Sequence, residues 1–182
     1  MREKVLLLHG WGGSDDPHWQ AWLACELAKD YGTVAFPLLD NPHFPTKNRW
    51  MKQFKNLLSE FKPDTVICHS LANTVWFHLC NEGEIKRVKR LLLVAPPRLS
   101  LELDTIKTFF PVTVPTDLYA DEVMLVTSNT DPYMTQEEAK VLQQSLDVEM
   151  LVLDDAGHIN ADSGYGEWPW ALEWLKQENG EA

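Results

Sequence analysis

The sequence predicts an α/β fold: an open, mainly parallel, six-stranded sheet with helices on both faces. Three observations carry that expectation. Short apolar runs at residues 5–8, 33–36, 65–68, 90–94, 123–127 and 148–153 are mostly continuous rather than alternating, which suits strands covered on both faces. Helix-period segments separate most of these runs, the alternation that builds strand–helix–strand units. Right-handed crossovers with one reversal after the second strand then give the order 2-1-3-4-5-6.

The elements follow in sequence. The first run ends in a glycine-rich turn, His9-Gly10-Trp11-Gly12-Gly13, after which Trp19, Trp22, Leu23 and Leu27 share one helical face. Residues 38–46, rich in Pro and Asn, follow the second run. Trp50, Phe54, Leu57, Leu58 and Phe61 then mark a helix that Pro63 stops. The third run is followed at once by a helix-compatible stretch. Residues 95–121 join the fourth and fifth runs and contain four prolines and the pair Phe109-Phe110. That pair would either line a pocket or tack down the loop. Long loops leaving the C-terminal ends of strands are where such sheets bind ligands. Thr135 with Glu138 forms a capping box that opens a helix with Ala139, Leu142 and Leu146 inward. Pro169 suits the first turn of a last helix carrying Trp170, Trp174 and Leu175.

A chain of 182 residues fits a single domain, residues 1–182, with a sizeable core. A net charge of −11 repels phosphate backbones and anionic lipid, so nucleic acid and membranes are not expected partners. Cys25, Cys68 and Cys80 lie in apolar contexts without CxxC spacing and read as buried free thiols. The apolar run at the N-terminus is too short for a signal-peptide core, and no stretch has the ~20 apolar residues of a membrane helix. A cytoplasmic protein is the expectation.

Three residues could carry chemistry. Ser70 stands between a strand and a helix in Cys68-His69-Ser70-Leu71-Ala72. A tight turn there exposes the hydroxyl and aims helix N-terminal N–H groups at whatever the serine attacks. A serine hydroxyl needs a neighbouring base to become nucleophilic. A plain helix N-cap would also place a serine here. His158, in Ala156-Gly157-His158 beyond the last strand, is the candidate base, since imidazole exchanges protons near neutrality. Asp131, in the Asp-Pro step after the fifth strand, is the candidate orienter of that imidazole. An Asp-Pro turn initiator would also suit the position. Asp154 and Asp155 are rivals, but they are too close to His158 in sequence to reach its far nitrogen.

The order serine, aspartate, histidine is that of α/β-hydrolases. An oxyanion hole would then consist of the backbone N–H groups of Leu71 and Trp11. No phosphate-binding motif, metal-ligand spacing or cofactor signature is present. Trp19, Trp22, Trp50, Trp170 and Trp174 read as core, and Trp11 could wall an acyl pocket.

Together, residues 5–13, Pro17-His18-Trp19, Trp22-Leu23, Asn41-Pro42, Pro45, Trp50, the Ser70 elbow, Asp131 and Gly157-His158 resemble the retinoblastoma-binding protein 9-like serine hydrolases. The resemblance spans nearly the whole chain. It implies a compact α/β-hydrolase fold with little or no lid and the triad Ser70, Asp131 and His158. Cys68 and Ala72 stand where the superfamily usually has glycine. The expected function is cofactor-free hydrolysis of an ester, amide or thioester of a small substrate. The alternatives are a catalytically silent binding or scaffold protein on the same fold, and a flavodoxin-like binder, which would lack its phosphate loop.

Overall fold

The computed structural model describes residues 3–30 and 32–177. Six strands form one parallel sheet: β1 Lys4–Leu8, β2 Thr33–Ala35, β3 Thr65–His69, β4 Val88–Val94, β5 Ala120–Ser128 and β6 Glu149–Leu153. Their order is β2-β1-β3-β4-β5-β6, as expected. The helices are α1 Trp19–Asp30, α2 Lys47–Phe61, α3 Leu71–Glu82, α4 Gln136–Leu146 and α5 Pro169–Lys176.

Side-chain alternation explains why the strands look continuously apolar in sequence. Leu6, Leu8, Val66, Cys68, Leu91 and Leu93 turn to one face, into a core shared with α2, α3 and α4. Val5, Leu7, Ile67, Leu92 and Val94 turn to the other, where Trp19, Leu23 and Leu27 of α1 and Trp174 and Leu175 of α5 cover them. Both sets are buried, so both parities must be apolar. Each such side chain contributes about 1.5–3 kcal/mol by leaving water. A carboxylate at Leu7 would find no partner there.

The local signals hold at the helix ends. Thr135 and Glu138 make the capping box of α4, and Pro169 occupies the first turn of α5. The far end of α5 is closed by a residue from the sheet. The buried guanidinium of Arg90 donates to the Trp174 and Leu175 carbonyls, pairs with Glu122 and lies 3.9 Å from the centre of the Trp174 ring. The last turn of α5 thereby gains donors for its carbonyls.

Three expectations need correction. Cys25 is exposed, because α1 turns Leu23 and Leu27 inward and places Cys25 on the outer side; Cys68 and Cys80 are buried. β5 begins at Ala120 rather than Val123, since Ala120 and Glu122 already pair with Val88 and Arg90. The 95–121 segment is not wholly irregular and contains a 3-10 turn, Asp104–Phe109.

β1 lies between β2 and β3, so the chain leaves it to one side and later returns on the other. The loops that follow β1 and β3 line one crevice beyond the strand ends.

Candidate active site

Ser70 stands in that crevice, between the last residue of β3 and the first of α3. Its backbone has φ 54° and ψ −121°, a region that side-chain-bearing residues avoid. Holding it there costs about 1–3 kcal/mol, which the surroundings must offset. The Ser70 N–H donates to the Val94 carbonyl at 2.9 Å. The Asn73 side-chain amide donates to the Ser70 and Val94 carbonyls at 2.8 and 2.9 Å, tying the turn to the end of β4. Cys68 and Ala72, in place of the usual glycines, are fully buried in the core behind the turn. Burial pushes the Cys68 thiol well above its ordinary pKa, so this cysteine is a packing group.

The other two residues come from the ends of β5 and β6. His158 Nε2 lies 2.7 Å from Ser70 Oγ, and His158 Nδ1 lies 3.0 Å from each Asp131 carboxylate oxygen. Facing a carboxylate, Nδ1 carries the proton, which leaves the Nε2 lone pair for the serine hydroxyl. The Asp131 side chain is only 3% exposed, and its carboxylate also accepts from the Tyr133 N–H at 2.9 Å. Asp154 and Asp155 are exposed and clamp the neighbouring loop through Asn129 instead.

The loop that carries His158 is held from three sides. Gly157 N–H donates to Thr130 Oγ1 at 3.0 Å. His69 Nε2–H donates to the His158 carbonyl at 3.1 Å, and the Trp19 indole N–H donates to the Ile159 carbonyl at 2.9 Å. His69 is completely buried, and burial, aided by the nearby His18 and His158, drives its pKa well below the ordinary imidazole value. It is therefore a neutral brace.

The loop after β1 is braced by His9. Its Nδ1–H donates to the Gly10 carbonyl at 2.7 Å, and its Nε2 accepts from the Leu39 N–H at 2.8 Å. A planar trans peptide then turns the Trp11 N–H to the side opposite that carbonyl. The 38–46 segment fastens the same loop: Gly12 N–H donates to the Pro42 carbonyl, and the Trp11 indole to the His43 carbonyl. Leu71 opens α3, so its N–H has no acceptor inside the helix. Trp11, Leu71, Ser70 and His158 all line one cavity of about 380 Å³.

The structure brings the three candidates Ser70, Asp131 and His158 together and adds supports whose contacts were not foreseen. Trp19, Asn73 and His69 reach backbone carbonyls distant in sequence, His9 accepts from the distant Leu39 N–H, and no local pattern announces those contacts. Phe109 is core, set edge-on to Trp50 at 5.6 Å, and so tacks down the 95–121 segment. The cavity wall from that segment is Pro97, Leu101 and Ile106 instead.

The sheet, its strand order and the flanking helices define the α/β hydrolase fold. The profile of the serine hydrolase family matches residues 5–177, and the chain belongs to that family. Solved structures agree. The ydeN gene product of B. subtilis superposes with a TM-score of 0.84 at 20% identity, over 95% of this chain and 96% of that one. A YdeN-like hydrolase from Pectobacterium atrosepticum gives 0.71 at 26% identity, over 94% and 88%. The esterase domain of a Rhodothermus marinus protein gives 0.68 at 19% identity, over 95% and 84%. A search of curated proteins found no match.

Proposed function

We propose that the protein is a carboxylesterase-like serine hydrolase that cleaves an ester, amide or thioester bond of a small substrate through an acyl-enzyme. The observation that carries this reading is the continuous hydrogen-bonded line from Ser70 Oγ through His158 to Asp131, which opens onto a cavity. Within the family, the run from Pro17 to Trp22, Asn41-Pro42 and Trp50 supports a place among the retinoblastoma-binding protein 9-like members.

In this mechanism Ser70 Oγ attacks the substrate carbonyl while His158 Nε2 takes its proton. The carbonyl oxygen becomes an oxyanion between the Trp11 and Leu71 N–H groups. One such donor is typically worth ~10²–10³ in rate. Collapse expels the leaving group, protonated by His158. Water, activated by the same nitrogen, then attacks the acyl-enzyme and frees Ser70. Asp131 keeps the imidazole in the required tautomer and stabilises the imidazolium. No step calls on a cofactor. The buried thiols of Cys68 and Cys80 are in keeping with a reducing, cytoplasmic setting.

The test is a pre-steady-state assay with a short-chain 4-nitrophenyl ester. A burst of nitrophenol equal to the enzyme present, followed by slower turnover, is the expected trace. Ser70→Ala should abolish both phases and leave the melting temperature nearly unchanged. A Ser70→Ala variant as active as the wild type would overturn the assignment.

A further inference from the structure

Two unlike sets of side chains line the cavity beside Ser70. One is apolar: Trp11, Pro97, Leu101 and Ile106. The other is Asp15, Asp16 and Asp162, and neither lysine nor arginine lines the cavity. Among the described residues, none of these three carboxylates is in an ion pair. Exposed carboxylates lining a partly enclosed site set a negative potential there, and the chain's net charge of −11 reinforces it.

A second, independent feature points to a polar ligand in this cavity. His18 lines the cavity and is only 5% exposed. Its Nδ1 accepts from the Gln20 N–H at 3.1 Å, so the proton sits on Nε2. That Nε2–H is buried without an acceptor, and so is the hydroxyl of Ser14, which lines the same cavity and is 4% exposed. A buried donor left unpaired costs about 1–3 kcal/mol, and native structures seldom leave one without a ligand or water to receive it. Burial, with the nearby His158 and His9, lowers the His18 pKa to about 4. His18 therefore adds no positive charge to oppose the carboxylates near neutrality.

We propose that these carboxylates select substrates that carry a cationic nitrogen near the scissile carbonyl, so that the preferred substrate is an amine-bearing ester, thioester or amide. The inference rests on Ser70 being the nucleophile. The ammonium group sits among Asp15, Asp16 and Asp162, and a neutral acceptor on the substrate receives the His18 Nε2–H. The apolar wall holds the hydrocarbon part. A substrate carboxylate in the same place would meet three like charges.

The experiment compares size-matched probes that differ in charge. On the acyl side these are the 4-nitrophenyl esters of 6-aminohexanoate, heptanoate and pimelate. On the leaving-group side they are acetylthiocholine, 3,3-dimethylbutyl thioacetate and 3-sulfopropyl thioacetate. Each kcat/KM is divided by the spontaneous hydrolysis rate of the same compound. In at least one series the cation should exceed the neutral probe by about tenfold or more, and the anion should fall below it. The ratio should shrink as salt rises and the Debye length contracts from ~10 Å at 0.1 M to ~3 Å at 1 M. In Asp15→Asn and Asp162→Asn the cation-to-neutral ratio, measured within each variant, should move toward one. Cleavage of the neutral probes with no cationic preference in either series, or with an anionic preference, overturns this proposal alone. Failure to cleave any probe, together with no fluorophosphonate labelling, overturns the hydrolase reading and this proposal with it.

Discussion

Gly10 and Ser70 approach so closely that no side chain fits between them. A β-carbon at Gly10 would lie 2.7 Å from Ser70 Cβ and 3.1 Å from the His69 carbonyl oxygen. The loop after β1 and the Ser70 turn are thus fitted against each other, and the requirement for glycine falls on β1's loop, whereas the turn itself accepts Cys68 and Ala72. Gly10→Ala should force the two apart and lower kcat/KM by ~10² or more, since a displacement of about 1 Å can cost that much. Stability should fall by only about 1–3 kcal/mol, as for other small overpacking changes. Steady-state kinetics beside a urea titration separate the two effects.

Asp131→Asn should preserve the fold and reduce kcat by ~10³–10⁴, because an amide can donate to Nδ1 and favours the wrong imidazole tautomer. Asp154→Asn and Asp155→Asn should stay near wild type, as those carboxylates do not touch His158. A crippled Asp154 or Asp155 variant beside a normal Asp131→Asn would move the orienting role to the neighbouring loop.

Cys68 tests whether its bulk or its chemistry matters at the turn. Cys68→Gly should keep activity, while Cys68→Leu should overfill the buried space behind Ser70 and cost about 1–3 kcal/mol. A thiol reagent should leave the native protein active, since the raised pKa and burial keep this sulfur from forming thiolate. Inactivation by that reagent, with both variants dead, would make Cys68 the nucleophile.

Acid should unfold the protein through its buried histidines. The pKa values of His18 and His69 are depressed by burial, His18 to about 4. In the unfolded chain both take up protons near ~6.5, while the folded protein resists until much lower pH. Protonation therefore favours the unfolded state: their contribution is complete above about 6.5 and is lost as pH falls toward 4. Each group adds up to about 1.4 kcal/mol of lost stability per pH unit in that window. Urea midpoints from pH 7 to 4.5 should fall, and less steeply in His69→Gln, which can still donate to the His158 carbonyl. Equal slopes would remove His69 as a source.

The sheet was legible because burial on both faces forces apolar residues at both parities, as Val5 to Leu8 and Leu91 to Val94 show. Ser70, Asp131 and His158 were legible because each follows a recognisable strand. The start of β5 was hidden by Asp121 and Glu122, charges that belong to a strand end where Glu122 meets Arg90. The supports of the site were hidden for a different reason. Trp19 reaches a carbonyl 140 residues away, and His69 one 89 residues away. Such contacts are properties of the packed chain, and neither composition nor periodicity encodes them locally. Cys25 is the exception, since the same period that buries Leu23 and Leu27 turns it outward.

Whether Ser70 is an activated nucleophile is read out by fluorophosphonate labelling of the native protein. Activation would depend on the His158 hydrogen bond and on the proposed Trp11 and Leu71 N–H donors, an arrangement that the unfolded chain lacks. The protein should take up one phosphonyl group, mapped by mass spectrometry to the peptide containing Ser70. Prior heat denaturation or Ser70→Ala should abolish the label. An intact, folded protein that is not labelled, or is labelled at another residue, would contradict the account.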